Sequence, residues 1–180
     1  MPGKLHFIAL LPDASIQEEV TAFKKTAARR FGSSHALKSP PHITLYPPFR
    51  WEEEEVPFLE KALERYAGEL QPFEVVLKGF DRFDSRVLFV RVLPSAELEG
   101  WHVGLKKALA QNLGLSLTDT RPFHPHMTVA FKDLRREQFP AAWAYFRAID
   151  YERRFRAEAL TLLVHREGRW HVQRSFPVSR

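Results

Sequence analysis

Short apolar runs with strand character alternate along the chain with longer stretches of helical spacing, and the alternation repeats. Residues 5–11 (LHFIALL) form a continuous apolar run closed by Pro12-Asp13, the pattern of a buried strand. A helix is expected to open at Ser15, where Ser15 and Glu18 have capping-box spacing. It carries Ile16, Val20, Phe23 and Ala27 on its inner stripe and stops at Gly32. A loop with His35, Lys38 and two prolines then delivers the chain in extended form to a second strand, Pro41-His42-Ile43-Thr44-Leu45. That strand is expected to break at Tyr46-Pro47-Pro48-Phe49. A second helix over about 53–69 starts with an acidic turn, which suits the positive end of its dipole. Strands are expected over 73–77 and 86–93, separated by a turn at 81–85.

From Pro94 the order restarts. A helix places Leu98, Trp101, Leu105, Leu109 and Leu113 on its inner face and ends at Gly114. A polar loop with Asp119, Arg121 and Pro122 leads into Phe123-His124-Pro125-His126-Met127-Thr128-Val129. A helix around 138–148 follows, then strands at 155–165 and 170–178 joined by a hairpin turn at Glu167-Gly168. The run LHFIALLP at 5–12 matches VLFVRVLP at 87–94 with an offset of 82 (94 − 12), and the two Pro-His-x-Thr segments are offset by 84 (126 − 42). The expected fold is therefore α+β. One domain spans 1–180, made of two repeats at about 1–85 and 86–180, with a pseudo-two-fold, bilobal arrangement. Antiparallel sheets line a central cleft and the helices lie outside. Such clefts favour ligands.

Composition adds limits. Hydrophobic residues make up 44% and charged residues 27% of 180 residues, the balance of a soluble globular domain. The absence of cysteine removes disulfide and thiolate chemistry and fits a reducing cytoplasm. No basic-apolar-small leader and no apolar run of membrane length is seen, so a cytoplasmic, membrane-free protein is expected, as a monomer. A net charge of +5 leans toward anionic partners.

Strand side chains alternate between faces, so His42 and Thr44 share a face, as do His126 and Thr128. A lone His-x-Thr reads as a half-buried histidine satisfied locally. Two copies in register read differently, because a duplicated core position favours an apolar residue over an imidazole with its own hydrogen-bonding demand. A metal site needs three or more converging ligands. His124-Pro125-His126 offers an H-x-H only, and His124 has Pro40 as its counterpart, so no metal and no cofactor are expected. Acid/base work fits better. One histidine takes a proton from an attacking water and the other protonates the leaving oxygen, while Thr44 and Thr128 donate to non-bridging phosphate oxygens. Arg121 and Lys132 are candidates for pairing with phosphate, and Tyr46, on the expected face of His42, for stacking on a base. Trp51, Trp101 and Trp143 read as core or lobe interface. His6, His102, His165 and His171 lack support from the repeat and read as surface or structural.

Pro-His-x-Thr-apolar, twice in a chain of this length, resembles the two-histidine (2H) phosphoesterase superfamily. That superfamily includes the 2′-5′ RNA ligases, also called RNA 2′,3′-cyclic phosphodiesterases. The resemblance implies a bilobal fold and metal-independent attack on a 2′,3′-cyclic phosphate, commonly leaving a 2′-phosphate, with His42, Thr44, His126 and Thr128 carried over. It departs where Tyr46-Pro47-Pro48-Phe49 replaces the Phe-Leu-Gly that usually follows the first motif. It departs again where Phe131-Lys132 stands in place of an arginine. The expected substrate is RNA or a small nucleotide bearing a cyclic phosphate. A non-catalytic RNA- or nucleotide-binding module and 2′-5′ RNA ligase activity are the alternatives.

Overall fold

The computed structural model describes residues 3–119 and 121–180. Among these the fold is α+β, with helices packed on two antiparallel sheets. Helices α1 (Ala14–Phe31) and α3 (Ala96–Leu113) are twins of 18 residues each, 82 positions apart (96 − 14). Each ends at a left-handed glycine, Gly32 (φ 71°) and Gly114 (φ 64°). The backbone N–H of each glycine and of the residue after it return to the last carbonyls of the helix, where a side chain would resist the positive φ. The α3 cap is Ser95, whose side chain accepts from Leu98 N at 3.1 Å. In α1 the cap is Asp13, accepting from Ile16 N at 3.0 Å, and Ser15 lies inside the helix. Asp13 caps as well as serine does and adds a negative charge at the positive helix end. Helix α2 (Val56–Glu69) begins after a 3-10 turn that takes up the acidic residues Glu53–Glu55, and α4 (Phe139–Arg147) is short.

The first sheet runs β2 (Ile43–Trp51), β1 (Lys4–Leu10), β7 (Ala159–Arg166), β8 (Arg169–Pro177). The second runs β5 (His126–Ala130), β4 (Val87–Val92), β3 (Phe73–Phe83), β6 (Glu152–Ala157). The sheets do not divide where the repeats do: β3 pairs into the second sheet, and β7 crosses back to pair with β1, with β8 on its outer side. The single strand expected over 155–165 is two, β6 and β7, in different sheets. Both Pro-His-x-Thr strands, β2 and β5, are edge strands, and they approach one another across the cleft.

Strand β2 does not break at its prolines. It pairs with β1 through Trp51, with two register shifts on the way. An edge strand tolerates prolines, and bulges absorb the extra residues. The first shift, opposite Ile8 and Ala9, puts Leu45 and Tyr46 both inside, at 1% and 0% exposure. The main core lies between helices and sheets, with Ile8, Leu10, Ile43, Val90 and Met127 at its centre. A smaller cluster of Phe7, Ala9 and Leu163, backed by Leu11 and Trp170, lies apart from it.

Candidate active site

A cavity of about 280 Å³ is lined by His42, Thr44, His126 and Thr128 together, one pair from the head of each edge strand, with His42 immediately before β2. The two histidines are held alike. His42 Nδ1–H donates to Pro40 O at 2.7 Å, and His126 Nδ1–H donates to His124 O at 2.7 Å. A carbonyl can only accept, so each Nδ1 carries the proton and, in the neutral ring, Nε2 keeps its lone pair. Neither Nε2 has a partner among the described residues. The intervening Pro41 and Pro125 fix the local φ and favour an extended preceding residue.

Each imidazole stands on a phenylalanine from the central strand of its sheet. The Phe7 ring centroid is 4.8 Å from that of His42, and Phe89 is 5.1 Å from His126. Phe7 and Phe89 are themselves equivalent in the repeat (89 − 7 = 82). Phe83 adds an edge contact to His126 at 4.8 Å, and Trp170 packs against Phe7 at 4.6 Å. These apolar walls disfavour charge on the rings. Burial, reinforced by the charges of Lys24 and His126, lowers the His42 pKa to about 4, against the pull of the Pro40 carbonyl. Burial also lowers His126, with His124 adding to it and the His124 carbonyl opposing.

His35, Lys38 and Ser39 line one side of the cavity. Their loop is tied to the far motif by Asp133, which accepts from Ser33 Oγ (2.8 Å), Ser34 N (2.9 Å) and His35 N (2.9 Å). Burial works against the Asp133 charge, but these donors hold its carboxyl below the usual range. Behind the loop lies Lys24 of α1, 2% exposed, whose Nζ donates to Ser39 O at 2.9 Å. Burial pushes its pKa down to about 7.

The remaining expected contacts divide. Lys132 lines the cavity, although β5 ends at Ala130 and Lys132 turns in with a positive φ of 52°. Arg121 lines a second, adjoining cavity of about 480 Å³ and pairs with Asp119 at 2.6 Å. Tyr46 is not on the cleft: the bulge turns it into the core, where its hydroxyl faces Leu115 O at 3.4 Å, so it cannot stack on a ligand. Pro48 lines the cavity instead. No carboxylate appears in the lining of the first cavity, and among the described residues no three His, Cys, Asp or Glu converge on one point.

Lys24 and the Phe7/Phe89 pair were within reach of sequence reasoning. Lys24 is a lysine on an otherwise apolar helical stripe between Val20 and Ala27, and the two phenylalanines coincide in the repeat alignment. His102, expected as surface or structural, lines the second cavity. Nothing in its local pattern signals that.

The sequence profile of the 2′-5′ RNA ligase superfamily matches residues 12–169. The chain belongs to this superfamily. Among relatives, this superfamily member is similar to "Putative phosphoesterase GK0864" of Geobacillus kaustophilus (strain HTA426), 29% identical over 95% of this chain and 94% of that one. Two solved structures share its fold. One is TT0787 of Thermus thermophilus, with TM-score 0.71 and 19% identity over 99% of this chain and 98% of that one. The other is E. coli LigT complexed with 3′-AMP, with TM-score 0.68 and 19% identity over all of both chains. The superfamily and the names of the relatives agree on a phosphoesterase. Among the described residues no helix is long and apolar enough to cross a membrane.

Proposed function

We propose that the cleft is the active site of a metal-independent cytoplasmic phosphodiesterase, working as a monomer, that opens 2′,3′-cyclic phosphates on RNA ends or small nucleotides. The observation that carries this reading is the pair of identically held histidines in one carboxylate-free cavity, each with Nε2 unpartnered. His42, the more depressed, is neutral at nearly all working pH and serves as the base. His126 carries the proton to the leaving group. His42 Nε2 takes a proton from water as the water oxygen bonds to phosphorus. The P–O3′ bond breaks and its electron pair takes the proton of His126 Nε2–H, leaving a 2′-phosphate. Thr44 and Thr128 donate to the non-bridging oxygens as their charge grows, and Lys38 and Lys132 offset the net charge. The solved complex of the similarly folded LigT with 3′-AMP supports a nucleotide-sized ligand.

The same acid and base serve 2′-5′ ligation if the 5′-hydroxyl of a second strand replaces water as nucleophile. Membership of the 2′-5′ RNA ligase superfamily favours keeping that reading beside the first. Steady-state turnover of nucleoside 2′,3′-cyclic phosphates tests the proposal. His42→Ala and His126→Ala should each lose most of the activity while remaining folded, and EDTA should leave the wild type unchanged. Full activity in both variants refutes it.

A further inference from the structure

Two short segments from opposite halves of the chain close one end of the histidine cavity. Residues 33–39 lead into His42, and residues 131–133 follow the strand that carries His126 and Thr128. Asp133 joins them. Its Oδ1 accepts from Ser33 Oγ at 2.8 Å, and its Oδ2 accepts from the backbone N–H groups of Ser34 and His35 at 2.9 Å each. Its own N–H donates to Phe131 O at 2.6 Å and closes a three-residue turn with Lys132 at the apex, at a φ of 52°. A residue other than glycine keeps such a backbone only where its surroundings enforce it. Asp133 is not in the cavity lining, so it acts through the residues it places.

One of these is a third histidine. His35 lines the same cavity as His42 and His126, with its ring edge-on to Phe131 and the centroids 5.1 Å apart. The residue is half-buried, and among the described residues neither ring nitrogen has a hydrogen bond. Lys38 and Lys132 line the cavity with it. Burial and the charges of Lys132 and Lys38 lower the His35 pKa, while the Asp133 charge opposes them. Basic groups gathered on one wall repel one another, and an anion seated among them relieves the repulsion. The duplication does not repeat this wall. The counterpart of His35 is Asp119 (35 + 84), which pairs with Arg121, and the counterpart of Asp133 is Phe49 (133 − 84), which is buried in the core. The paired His-x-Thr segments are alike, and the clasp gives the cleft a distinct basic end.

We infer that His35 is a third phosphate-binding histidine of this site, donating a ring N–H to a non-bridging oxygen of the substrate, and that Asp133 is the positioning residue that holds it there. The inference rests on the phosphodiesterase reading. An anionic acceptor makes the contact charge-assisted and stronger than a neutral hydrogen bond. It adds a donor to the hydroxyls of Thr44 and Thr128 from outside both motifs.

The test follows turnover of adenosine 2′,3′-cyclic phosphate, and its inhibition by inorganic phosphate, in the wild type, His35→Ala, Asp133→Asn and the double variant. Inorganic phosphate reads the anion contact without ribose or base. His35→Ala should raise the substrate KM and the phosphate Ki by roughly ten-fold, the loss of one hydrogen bond to a charged group. Asp133→Asn keeps the backbone N–H that closes the Lys132 turn and loses the carboxylate, so it should raise both constants in the same direction. The double variant should be no worse than His35→Ala, because Asp133 acts through His35. A purely structural Asp133 would lower the folded fraction, and with it the apparent kcat, without moving KM or Ki. A phosphate Ki unchanged in either single variant, or additive losses in the double variant, overturns the inference and leaves the phosphodiesterase reading intact. If the wild type turns over no cyclic phosphate, that reading fails, and calorimetric titration of the same proteins with inorganic phosphate decides the contact. Weaker, non-additive binding in the variants supports it, while equal binding, or none to the wild type, overturns it. Should Asp133→Asn fail to fold, Ser33→Ala, which removes one donor to Asp133, takes its place in the comparison.

Discussion

Replacing Lys24 by methionine should stabilise the protein near neutral pH and change how stability responds to pH. Lys24 is 2% exposed on α1, and burial lowers its pKa from 10.5 to about 7. A difference of 3.5 units (10.5 − 7), at about 1.36 kcal/mol per unit, withholds on the order of 4–5 kcal/mol of stability whenever the lysine must be charged. The sign follows from proton counting. Between about pH 7 and pH 10.5 the unfolded chain binds a proton that the folded chain does not, so wild-type stability rises with pH across that window. Below about pH 7 the full penalty is present. Methionine has similar length and no charge, but it leaves the Ser39 carbonyl without its donor, a loss of about 1–3 kcal/mol. Lys24→Met should therefore gain roughly 1–4 kcal/mol at pH 6. The gain should vanish or reverse near pH 10. Urea unfolding of both proteins at pH 6, 8 and 9.5 measures this. Parallel pH dependence in the two proteins refutes the argument. The variant also removes a positive charge that adds to the lowering of His42, so the His42 pKa should rise somewhat from about 4, burial remaining the main cause of its depression.

The depressed histidines set the pH dependence of the free enzyme. With His42 as base (pKa about 4) and His126 as acid (below 6.5), kcat/KM should be bell-shaped with an acidic optimum between those limits. A bound phosphate anion favours the protonated His126, so the optimum of kcat should lie at higher pH than that of kcat/KM. Thr44→Val and Thr128→Val should each lower kcat by roughly 10²-fold with little change in KM, if their hydroxyls act on charge built in the transition state. Asp133→Asn should loosen the 33–39 loop that it clasps, costing about 1–3 kcal/mol in denaturant unfolding. Because the Asp133 carboxyl lies below its ordinary range, its contribution should be present at neutral pH and fade as pH falls through that lowered value.

The parts of the molecule legible in the sequence are those with local causes. Helical stripes and the Gly32 and Gly114 stops depend on neighbours within a few residues, and the repeat doubles the weight of each His/Thr pair. Tyr46 departs from the expected alternation because that alternation assumes a regular strand, and the register shifts against β1 place two successive residues inside. The break at Glu158 between β6 and β7 follows from β6 pairing with β3 while β7 returns to β1, pairings of residues far apart in sequence that no local pattern records. His102 and Phe123 belong to α3 and a non-periodic loop, and only the tertiary fold stacks them.

Phosphorus NMR of adenosine 2′,3′-cyclic phosphate incubated with the protein in ¹⁸O-labelled water, with EDTA present, tests the central claim most directly. The account predicts that the cyclic resonance disappears and a single 2′-monophosphate appears carrying ¹⁸O on phosphorus, with neither change in His42→Ala or His126→Ala. An unchanged cyclic resonance with the wild type, or equal conversion by the two histidine variants, contradicts it.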